Sequence, residues 1–271
     1  WDNARNSLSR KQLHRKKVQC NHSIVMKKTF TETFWWKGKL IILEWADGCG
    51  KTTLAKKLRT SLQSRWEKVV ISGWKDGKYF ADFFNEHSRI KRKKMIHSRA
   101  HLMLQVADLL YRLEKVVIPA LAQGKTVILD RWLETVYVRG YSIGFTHDQI
   151  ESGLLWSIKH IYQSLFEEGQ TIYLQATTSE TLERLAGRSV GTDDAQVNEW
   201  TLIWLHMISS LSYTPDGEKM TLAKKRSLIQ QIQGNMIRQY DEIFSSETSA
   251  TVIDGNLSES EVFSQALAVL S

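Results

Sequence analysis

Cysteine and proline are scarce in this chain of 271 residues, which contains two of each. Two cysteines cannot form a disulfide framework, so we expect a reducing compartment and a cytoplasmic location. No apolar stretch approaches the ~20 residues that a membrane-spanning helix needs, so no membrane partner is expected. The 15 glycines follow no short period, which excludes collagen-like and other fibrous repeats. Apolar residues make up 42% of the chain, which is enough for a packed core.

Acidic residues are scarce only at the beginning of the chain. Residues 1–30 carry eight lysines and arginines against Asp2 alone, whereas the other 241 residues carry 29 basic and 28 acidic groups. The net charge of +8 therefore belongs to an N-terminal arm, and binding of nucleic acid is not expected except through that arm. Three interpretations of the arm stay open: polyanion binding, a targeting segment, or sequence ahead of a natural start at Met26, which we favour slightly. We expect residues 1–37 to be a disordered arm or a non-native leader, and residues 38–271 to form one domain.

Short apolar strands alternate with amphipathic helices after the arm. Strands are predicted at 39–44, 68–72, 126–129, 171–175 and 250–253. Helices are predicted from Lys51 onward and at 78–89, 95–123, 147–166, 179–188, 222–243 and 258–270. This alternation predicts a doubly wound α/β fold, with a five-stranded parallel sheet flanked by helices.

The turn between the first strand and the first helix is the most informative segment. It reads EWADGCGKTT from Glu44 to Thr53. Gly48 and Gly50 allow backbone amides to turn inward around an anion, and the helix directs its positive end to the same place. Lys51 adds a cation for the β- and γ-phosphates, and Thr52 offers a hydroxyl to Mg²⁺. We predict that ATP binds to Asp47, Gly48, Cys49, Gly50, Lys51, Thr52 and Thr53.

Two residues of this loop are unusual. Trp45 replaces the first glycine of the pattern G-x-x-x-x-G-K-[S/T]. Because the anion nest is built from the later residues, binding can survive this change; the alternative is that the indole crowds the nucleotide. Cys49 lies at a helix N-terminus among cations, a setting that lowers the pKa of a thiol, but we interpret it as the small residue that the loop requires.

Asp130 and Arg131 directly follow the predicted strand at 126–129. Ligands of open parallel sheets collect at the carboxyl ends of the strands, so this pair is expected beside the phosphate loop. We predict that Asp130 holds Mg²⁺, directly or through water, and that Arg131 clamps a second phosphate. A surface ion pair is the alternative.

Arg184 and Arg188 lie four residues apart on one predicted helix face, just before the polar, irregular segment at 189–221. Phosphoryl transfer needs a mobile segment whose arginines neutralise the moving phosphoryl group and exclude water. We therefore predict a lid at about 189–221, supported by these two arginines. The alternative is a solvated face that pairs with Glu180 or Glu183.

From about Lys39 to Leu270 the chain resembles the thymidylate kinase family of P-loop nucleoside monophosphate kinases. The resemblance rests on ExxDGxGKTT at 44–53, on the strand and helix at 171–188, and on the ending at 252–255. The stretch at 118–132 also matches the family's PAL-x-x-G-x-x-V-x-x-DR pattern. The resemblance implies a P-loop NTPase fold and transfer of the ATP γ-phosphoryl group to a nucleoside 5′-monophosphate, with Mg²⁺. Since family members are commonly dimers, a homodimer is also expected.

The resemblance also assigns roles to individual side chains. Asp47 is expected near the acceptor sugar and phosphate, and Arg131 on the acceptor phosphate. Gly48 occupies a position that is a basic residue in some members. Members without a basic residue there supply arginines from the lid instead, and the resemblance assigns this role to Arg184 and Arg188. The expected catalytic residues are Lys51, Asp130, Arg131, Arg184 and Arg188.

The acceptor side departs from the family pattern. Gln105 and Leu109 stand where the family has a phenylalanine and an arginine that contact thymine. Lys75 is the only obvious cation in the loop after the second strand, and we expect Arg139 to substitute in acceptor binding. The acceptor site is thus expected to contain Asp47, Lys75, Gln105, Arg131 and Arg139. Phosphoryl transfer is expected to persist, whereas the sequence does not favour specificity for thymidylate.

The sequence leads us to expect an ATP-dependent nucleoside monophosphate kinase. One alternative is a non-catalytic or regulatory nucleotide-binding protein, which Trp45 and the altered acceptor side would explain. Another is a P-loop enzyme that acts on nucleic acid through the basic arm.

Overall fold

A computed structural model of the chain describes residues 37–73, 98–188, 222–246 and 249–270. All of them lie in a compact unit that begins at Lys37. The arm at 1–36, the predicted helix at 78–89, Lys75 and the predicted lid at 189–221 lie outside the described residues. The arm, the domain boundary and the lid therefore stay predictions.

Five parallel strands form one sheet in the order β2-β3-β1-β4-β5. The predicted class of fold is confirmed, and each strand ends within one residue of its predicted bounds. Every residue of β1 is buried, as a continuous apolar run requires when helices cover both faces of a parallel sheet. The strands are β1 Leu40–Glu44, β2 Val69–Gly73, β3 Thr126–Asp130, β4 Gln170–Gln175 and β5 Ala250–Asp254.

Helices connect these strands. The predicted helices at 95–123 and 147–166 each contain a wider π-helical turn, at Leu113–Val117 and at Gln149–Leu155. No described helix is long and apolar enough to cross a membrane. The α-helices are α1 Lys51–Ser64, α2 Ser98–Arg112, α3 Ile118–Ala122, α4 Leu133–Ser142, α5 Trp156–Glu167, α6 Thr178–Arg188, α7 Leu222–Ser246 and α8 Glu259–Val269.

The core lies between the sheet and the helices α1, α7 and α8. Helix α1 buries Leu54, Leu58 and Leu62, which confirms the apolar face predicted from their four-residue spacing. From α7, Tyr240 and Phe244 stack on Tyr173 of β4, with ring centroids 6.0 and 4.4 Å away. This packing fixes α7 against the strand that neighbours β1.

Helix α4 has no counterpart among the predicted helices. Its N-cap, Trp132, contributes no side-chain cap. Instead the carboxylate of Glu44, at the end of β1, accepts hydrogen bonds from the backbone amides of Trp132 and Thr135. The signal that starts this helix therefore comes from a residue 88 positions earlier in the chain, where local sequence patterns cannot reveal it.

The order of the strands determines where the functional side chains meet. Strand β1 is central and pairs with β3, with Leu43 opposite Asp130. The loop after β1 and the turn after β3 therefore lie side by side at the carboxyl edge of the sheet, as predicted.

Candidate active site

The backbone of the phosphate loop has the conformation of an anion-binding nest. Gly48 and Gly50 have φ values of 93° and 91°, which only glycine adopts readily, and Gly50 is the N-cap of α1. Among the hydrogen bonds of the described residues, none is donated by the amides of Gly48, Cys49 or Gly50. The first turn of α1 contains no acidic residue. Open donors and a positive helix end without a competing carboxylate form a site for a phosphate group.

Thr52 and Thr53 occupy the first turn of α1, where the sequence placed them. The amide of Thr53 donates to the carbonyl of Gly50 at 3.1 Å, which closes the helix onto the loop. The side chain of Thr52 is exposed at the mouth of the loop. Its hydroxyl is therefore accessible to a ligand that is bound in the nest.

Asp47 joins the loop to the turn after β3. Its Oδ1 accepts a hydrogen bond from Lys51 Nζ at 2.9 Å and also contacts the guanidinium of Arg131. Burial alone would raise the pKa of Asp47, but the charges of Arg131 and Lys51 outweigh it and hold the pKa well below its ordinary value. Burial and the nearby Arg131 lower the pKa of Lys51, against the opposing effect of Asp47. The structure thus brings three predicted site residues to one point.

Arg131 is held in an unusual backbone conformation. Its φ of 74° is in the left-handed region, and its amide donates to the carbonyl of Leu43 at 3.0 Å. Only 3% of the residue is exposed. Burial would lower the pKa of Arg131, but the charges of Asp47 and Asp130 help to raise it above its ordinary value. The guanidinium is therefore a fixed cation at the edge of the sheet.

Arg139 projects from α4 in the neighbourhood of Arg131. Burial, and then repulsion from Arg131, lower its pKa to about 10, while Asp47 opposes both. Two guanidinium groups that repel each other form a region that favours a dianion such as a phosphate monoester. The acceptor role of Arg139 stays a prediction.

Arg184 of α6 lies against the phosphate loop. Its Nη1 donates to the carbonyl of Gly255 at 2.8 Å and to that of Cys49 at 3.5 Å. A Cβ atom built on Gly50 would lie 4.0 Å from the same nitrogen. Its Nε also pairs with Glu180 at 2.7 Å, so the surface pairing considered as the alternative is present as well. Arg188 is the last residue of α6, and its side chain lies outside the described residues.

Gln105 lies on α2 with 3% of its surface exposed. Within the described part of the chain its Oε1 has no hydrogen-bond partner. One turn later, Asp108 and Arg112 form a fully buried ion pair with Nε–Oδ2 at 3.0 Å. The helix that was predicted to contact the acceptor base therefore carries buried polar side chains.

The two unusual loop residues are both buried. Trp45 is 0% exposed and belongs to the core cluster together with Leu43 and Leu54, so the indole has a place inside the fold. Cys49 is 3% exposed, and burial raises the pKa of its thiol to about 12 despite the nearby Lys51. Desolvation therefore outweighs the cations that surround the thiol. The interpretation of Cys49 as a small loop residue agrees with this burial.

A comparison with known proteins identifies the family. The family model described as thymidylate kinase matches residues 43–206, which is more than half of the chain. The chain belongs to the thymidylate kinase family.

Individual members of the thymidylate kinase family are distant relatives of this chain. "Probable thymidylate kinase 2" of Saccharolobus solfataricus is 26% identical over 222 residues, which cover 81% of this chain and 89% of that protein. The thymidylate kinase of Caldanaerobacter subterraneus is 26% identical over 153 residues, covering 56% and 71%. That of Chlorobaculum parvum is 33% identical over 146 residues, covering 54% and 64%. The resemblance noted in the sequence is confirmed, and the chain is a nucleoside monophosphate kinase of the thymidylate-kinase-like type.

Oxygen ligands that fit Mg²⁺ are few among the described residues of this thymidylate kinase family member. The described residues contain no cluster of three His, Cys, Asp or Glu side chains that could hold a metal ion by themselves. Thr52 offers a hydroxyl in the first turn of α1, and Asp130 offers a carboxylate at the end of β3, opposite Leu43 of β1. Mg²⁺ is commonly bound by one or two such oxygens together with waters and the phosphates of a nucleotide, so these residues fit it.

Two contacts of this thymidylate kinase family site were not predicted. Gln233 of α7, 5% exposed, donates from Nε2 to the carbonyl oxygen of Asp47 at 2.6 Å. Tyr240 of α7 is within hydrogen-bond distance of Thr135 of α4, at 2.8 Å. Both α7 side chains look like ordinary helix residues in the sequence, and only the fold places them beside the site.

Proposed function

We propose that this protein transfers the γ-phosphoryl group of ATP to a nucleoside 5′-monophosphate. The observation that carries the proposal is the position of Asp47, whose carboxylate touches both Lys51 of the phosphate loop and Arg131 of the turn after β3. Lys51, the proposed cation for the donor phosphates, and Arg131, the proposed cation for the acceptor phosphate, thus both contact Oδ1 of Asp47. Phosphoryl transfer requires two phosphates to be held in such proximity.

On the donor side, the open amides from Gly48 to Gly50 and the first turn of α1 would hold the β- and γ-phosphates. Lys51 would leave Asp47 and follow the γ-phosphate. Arg184 donates hydrogen bonds to the carbonyls of Cys49 and Gly255, and it therefore lies at the border of the nest, close to the phosphates of a bound nucleotide. Thr52 and Asp130 would hold Mg²⁺, which neutralises charge on the donor phosphates when it is bound.

On the acceptor side, Arg131 would bind the acceptor phosphate, with Arg139 as the second cation. Asp47 would face the acceptor sugar, and Gln105 the base. Lys75 is part of this proposal on sequence grounds alone. Because Gln105 and Leu109 replace the two side chains that contact thymine in the family, we propose an acceptor range that is not restricted to thymidylate.

The chemistry proposed is a direct in-line displacement. An oxygen of the acceptor phosphate attacks the γ-phosphorus, the bond to the β–γ bridging oxygen breaks, and ADP leaves. The residues position the two nucleotides and neutralise the moving charge, without a covalent intermediate on the protein. Lys51, Arg131 and Arg184 supply that charge from described positions, and Arg188 is proposed to join them.

The regulatory alternative drew its support from Trp45 and the altered acceptor side. Because the indole is wholly buried in the core cluster, we infer that it does not crowd the nucleotide.

The homodimer, the cytoplasmic location and the role of the arm stay predictions. Deletion of residues 1–25 is expected to leave kinase activity intact. If the deletion abolished activity, that result would favour an enzyme that acts on nucleic acid through the arm.

The decisive experiment is an assay of ADP release with ATP, Mg²⁺ and a panel of ribo- and deoxynucleoside monophosphates. We expect turnover that depends on at least one monophosphate and exceeds the rate with ATP alone. Binding of ATP without turnover on any acceptor would support the regulatory alternative instead. A loss of ATP binding altogether would contradict the assignment of the loop.

A further inference from the structure

Glu44 carries a buried carboxylate that the proposed chemistry does not use. The residue is 0% exposed at the end of β1, directly before the phosphate loop. Its Oε1 accepts from the amides of Trp132 and Thr135, the latter at 3.3 Å, and its Oε2 accepts from the Thr135 hydroxyl at 2.9 Å. All three donors belong to the turn after β3 and the first turn of α4. A fully buried carboxylate with this many partners has a defined orientation.

The partners of Glu44 lie next to Arg131. The Trp132 amide follows Arg131 directly, and the Arg131 amide itself donates to Leu43, the neighbour of Glu44. Hydrogen bonds to β1 therefore flank the Arg131 residue on both sides. A left-handed conformation is strained for a non-glycine residue, so the φ of 74° at Arg131 needs such support.

The hydrogen bonds around Thr135 have a defined direction. Because the Thr135 hydroxyl donates to Glu44, the hydroxyl of Tyr240 donates to Thr135 Oγ1, at 2.8 Å. Burial raises the pKa of Glu44 above its ordinary value, and the Trp132 amide, the Thr135 hydroxyl and the charge of Arg131 offset this only in part. These donors favour the ionised carboxylate, but burial outweighs their effect on the pKa.

We propose that Glu44 is a positioning residue for Arg131, and that Thr135 holds Glu44 in the orientation that fixes the Arg131 turn. Glu44 acts through the Trp132 amide and does not itself touch a nucleotide. Tyr240 extends the same hydrogen-bond chain to α7, which also contacts the phosphate loop through Gln233. The consequence for acceptor binding rests on the proposed function, whereas the consequence for the Arg131 backbone does not.

The first test compares Thr135→Val, which removes the hydroxyl at nearly constant volume, with Thr135→Ser, which keeps it. The ligands are ATP and, separately, the nucleoside monophosphate that the wild-type protein binds most tightly, with dissociation constants measured by calorimetry. Because the change leaves a buried oxygen of Glu44 without its hydroxyl donor, Thr135→Val is expected to weaken monophosphate binding about 10-fold. Thr135→Ser is expected to stay within about 2-fold of wild type, and ATP binding is expected to be unchanged in both. Equal losses for ATP and monophosphate would indicate a general structural defect and overturn the proposal.

A double-mutant cycle asks whether Thr135 acts through Arg131. In an Arg131→Ala background, Thr135→Val is expected to weaken monophosphate binding by no more than about 2-fold further, because the group that it positions is gone. Additive losses would contradict the proposal. If Thr135→Val fails to fold, Glu44→Asp withdraws the carboxylate by one methylene and carries the same expectations.

A crystal structure of Thr135→Val separates this inference from the kinase proposal. We expect Arg131 to leave the left-handed region and its guanidinium to move away from Asp47, whether or not any nucleotide binds. An unchanged Arg131 would overturn the inference even if the wild-type protein proves to be an active kinase. Conversely, a wild-type protein that binds no monophosphate would refute the proposed function and leave the structural result to be judged alone.

Discussion

The proposed donor half and the proposed acceptor half of the active site differ in the kind of contact that they offer. The proposed donor half consists of consecutive residues from Asp47 to Thr53, which offer backbone amides and one lysine. The proposed acceptor half consists of Arg131, Arg139 and Gln105, which come from separate elements and would act through their side chains. A site made of backbone tolerates changes of side chain, whereas a site made of side chains changes its specificity with each of them. This difference would explain how the phosphate loop is retained while the proposed acceptor side departs from the family pattern.

The donor half is tested most severely by Lys51→Met. The change removes the cation that serves the donor phosphates, and we expect kcat to fall by about 10²–10³-fold in the ADP-release assay. Lys57→Met is a matched control on the same helix, because Lys57 pairs with Glu259 at the surface. A loss of equal size in the control would mean that α1, and not the charge at Lys51, limits activity.

The acceptor half is tested by Arg131→Ala. We expect kcat/KM for the monophosphate to fall about 10- to 100-fold, because a charged hydrogen bond to its phosphate is lost. The dissociation constant of ATP is expected to remain within about 2-fold, since the donor half has its own contacts. Arg238→Ala serves as the control, because that residue is exposed on α7 and pairs loosely with Glu242 at 3.9 Å. If both nucleotides lose affinity together, the two halves are not the independent units that we describe.

Gln105→Leu sharpens the contrast, because activity and stability are expected to change in opposite directions. The Gln105 Oε1 is buried without a partner in the described structure, so an apolar side chain of similar size should stabilise the fold by about 1 kcal/mol. If Gln105 faces the acceptor base, KM for the preferred monophosphate should rise about 5- to 10-fold while kcat/KM for ATP stays unchanged. Thermal unfolding and steady-state kinetics measure the two effects.

The control for this substitution is Met103→Leu, which alters an exposed residue on the same helix and should change neither quantity. A more stable Gln105→Leu protein with unaltered kinetics would assign Gln105 to the core and remove it from the acceptor site.

The same contrast explains what the sequence reveals. The five strands follow from apolar runs, and the nest follows from the glycines that precede Lys51, because each depends on neighbouring residues. Helix α4 cannot be predicted in this way, because its N-terminus is capped by Glu44, which lies in β1 and is distant in sequence. Gln233 lies in a helix with the sequence of an ordinary solvated face, and only the approach of α7 to Asp47 makes it part of the site. Residues that act through contacts distant in sequence need the fold to be recognised.

Cys49 is expected to give the smallest effect on activity, because the loop uses its backbone and not its thiol. Cys49→Ala should leave kcat and both KM values within about 2-fold of wild type, as is usual for a substitution that removes no functional contact. In a Cys20→Ser background, the buried thiol with a pKa of about 12 should resist iodoacetamide at pH 8 and react once the protein is unfolded in urea. Rapid alkylation of the native protein would show that the thiolate forms readily and that desolvation does not dominate in the loop.

The raised pKa of Cys49 also predicts how the free energy of unfolding changes at alkaline pH. A thiol in the unfolded chain has a pKa of about 8.5, whereas the native Cys49 keeps its proton up to about pH 12. The unfolded state therefore binds fewer protons than the native state between these values, and the free energy of unfolding contributed by Cys49 declines as the pH rises through this range. In urea titrations at pH 8 and pH 10, Cys49→Ala should lose less stability on the rise in pH than its parent does. An identical loss in both proteins would mean that other groups, such as the buried Tyr173 and Tyr240, account for the alkaline dependence.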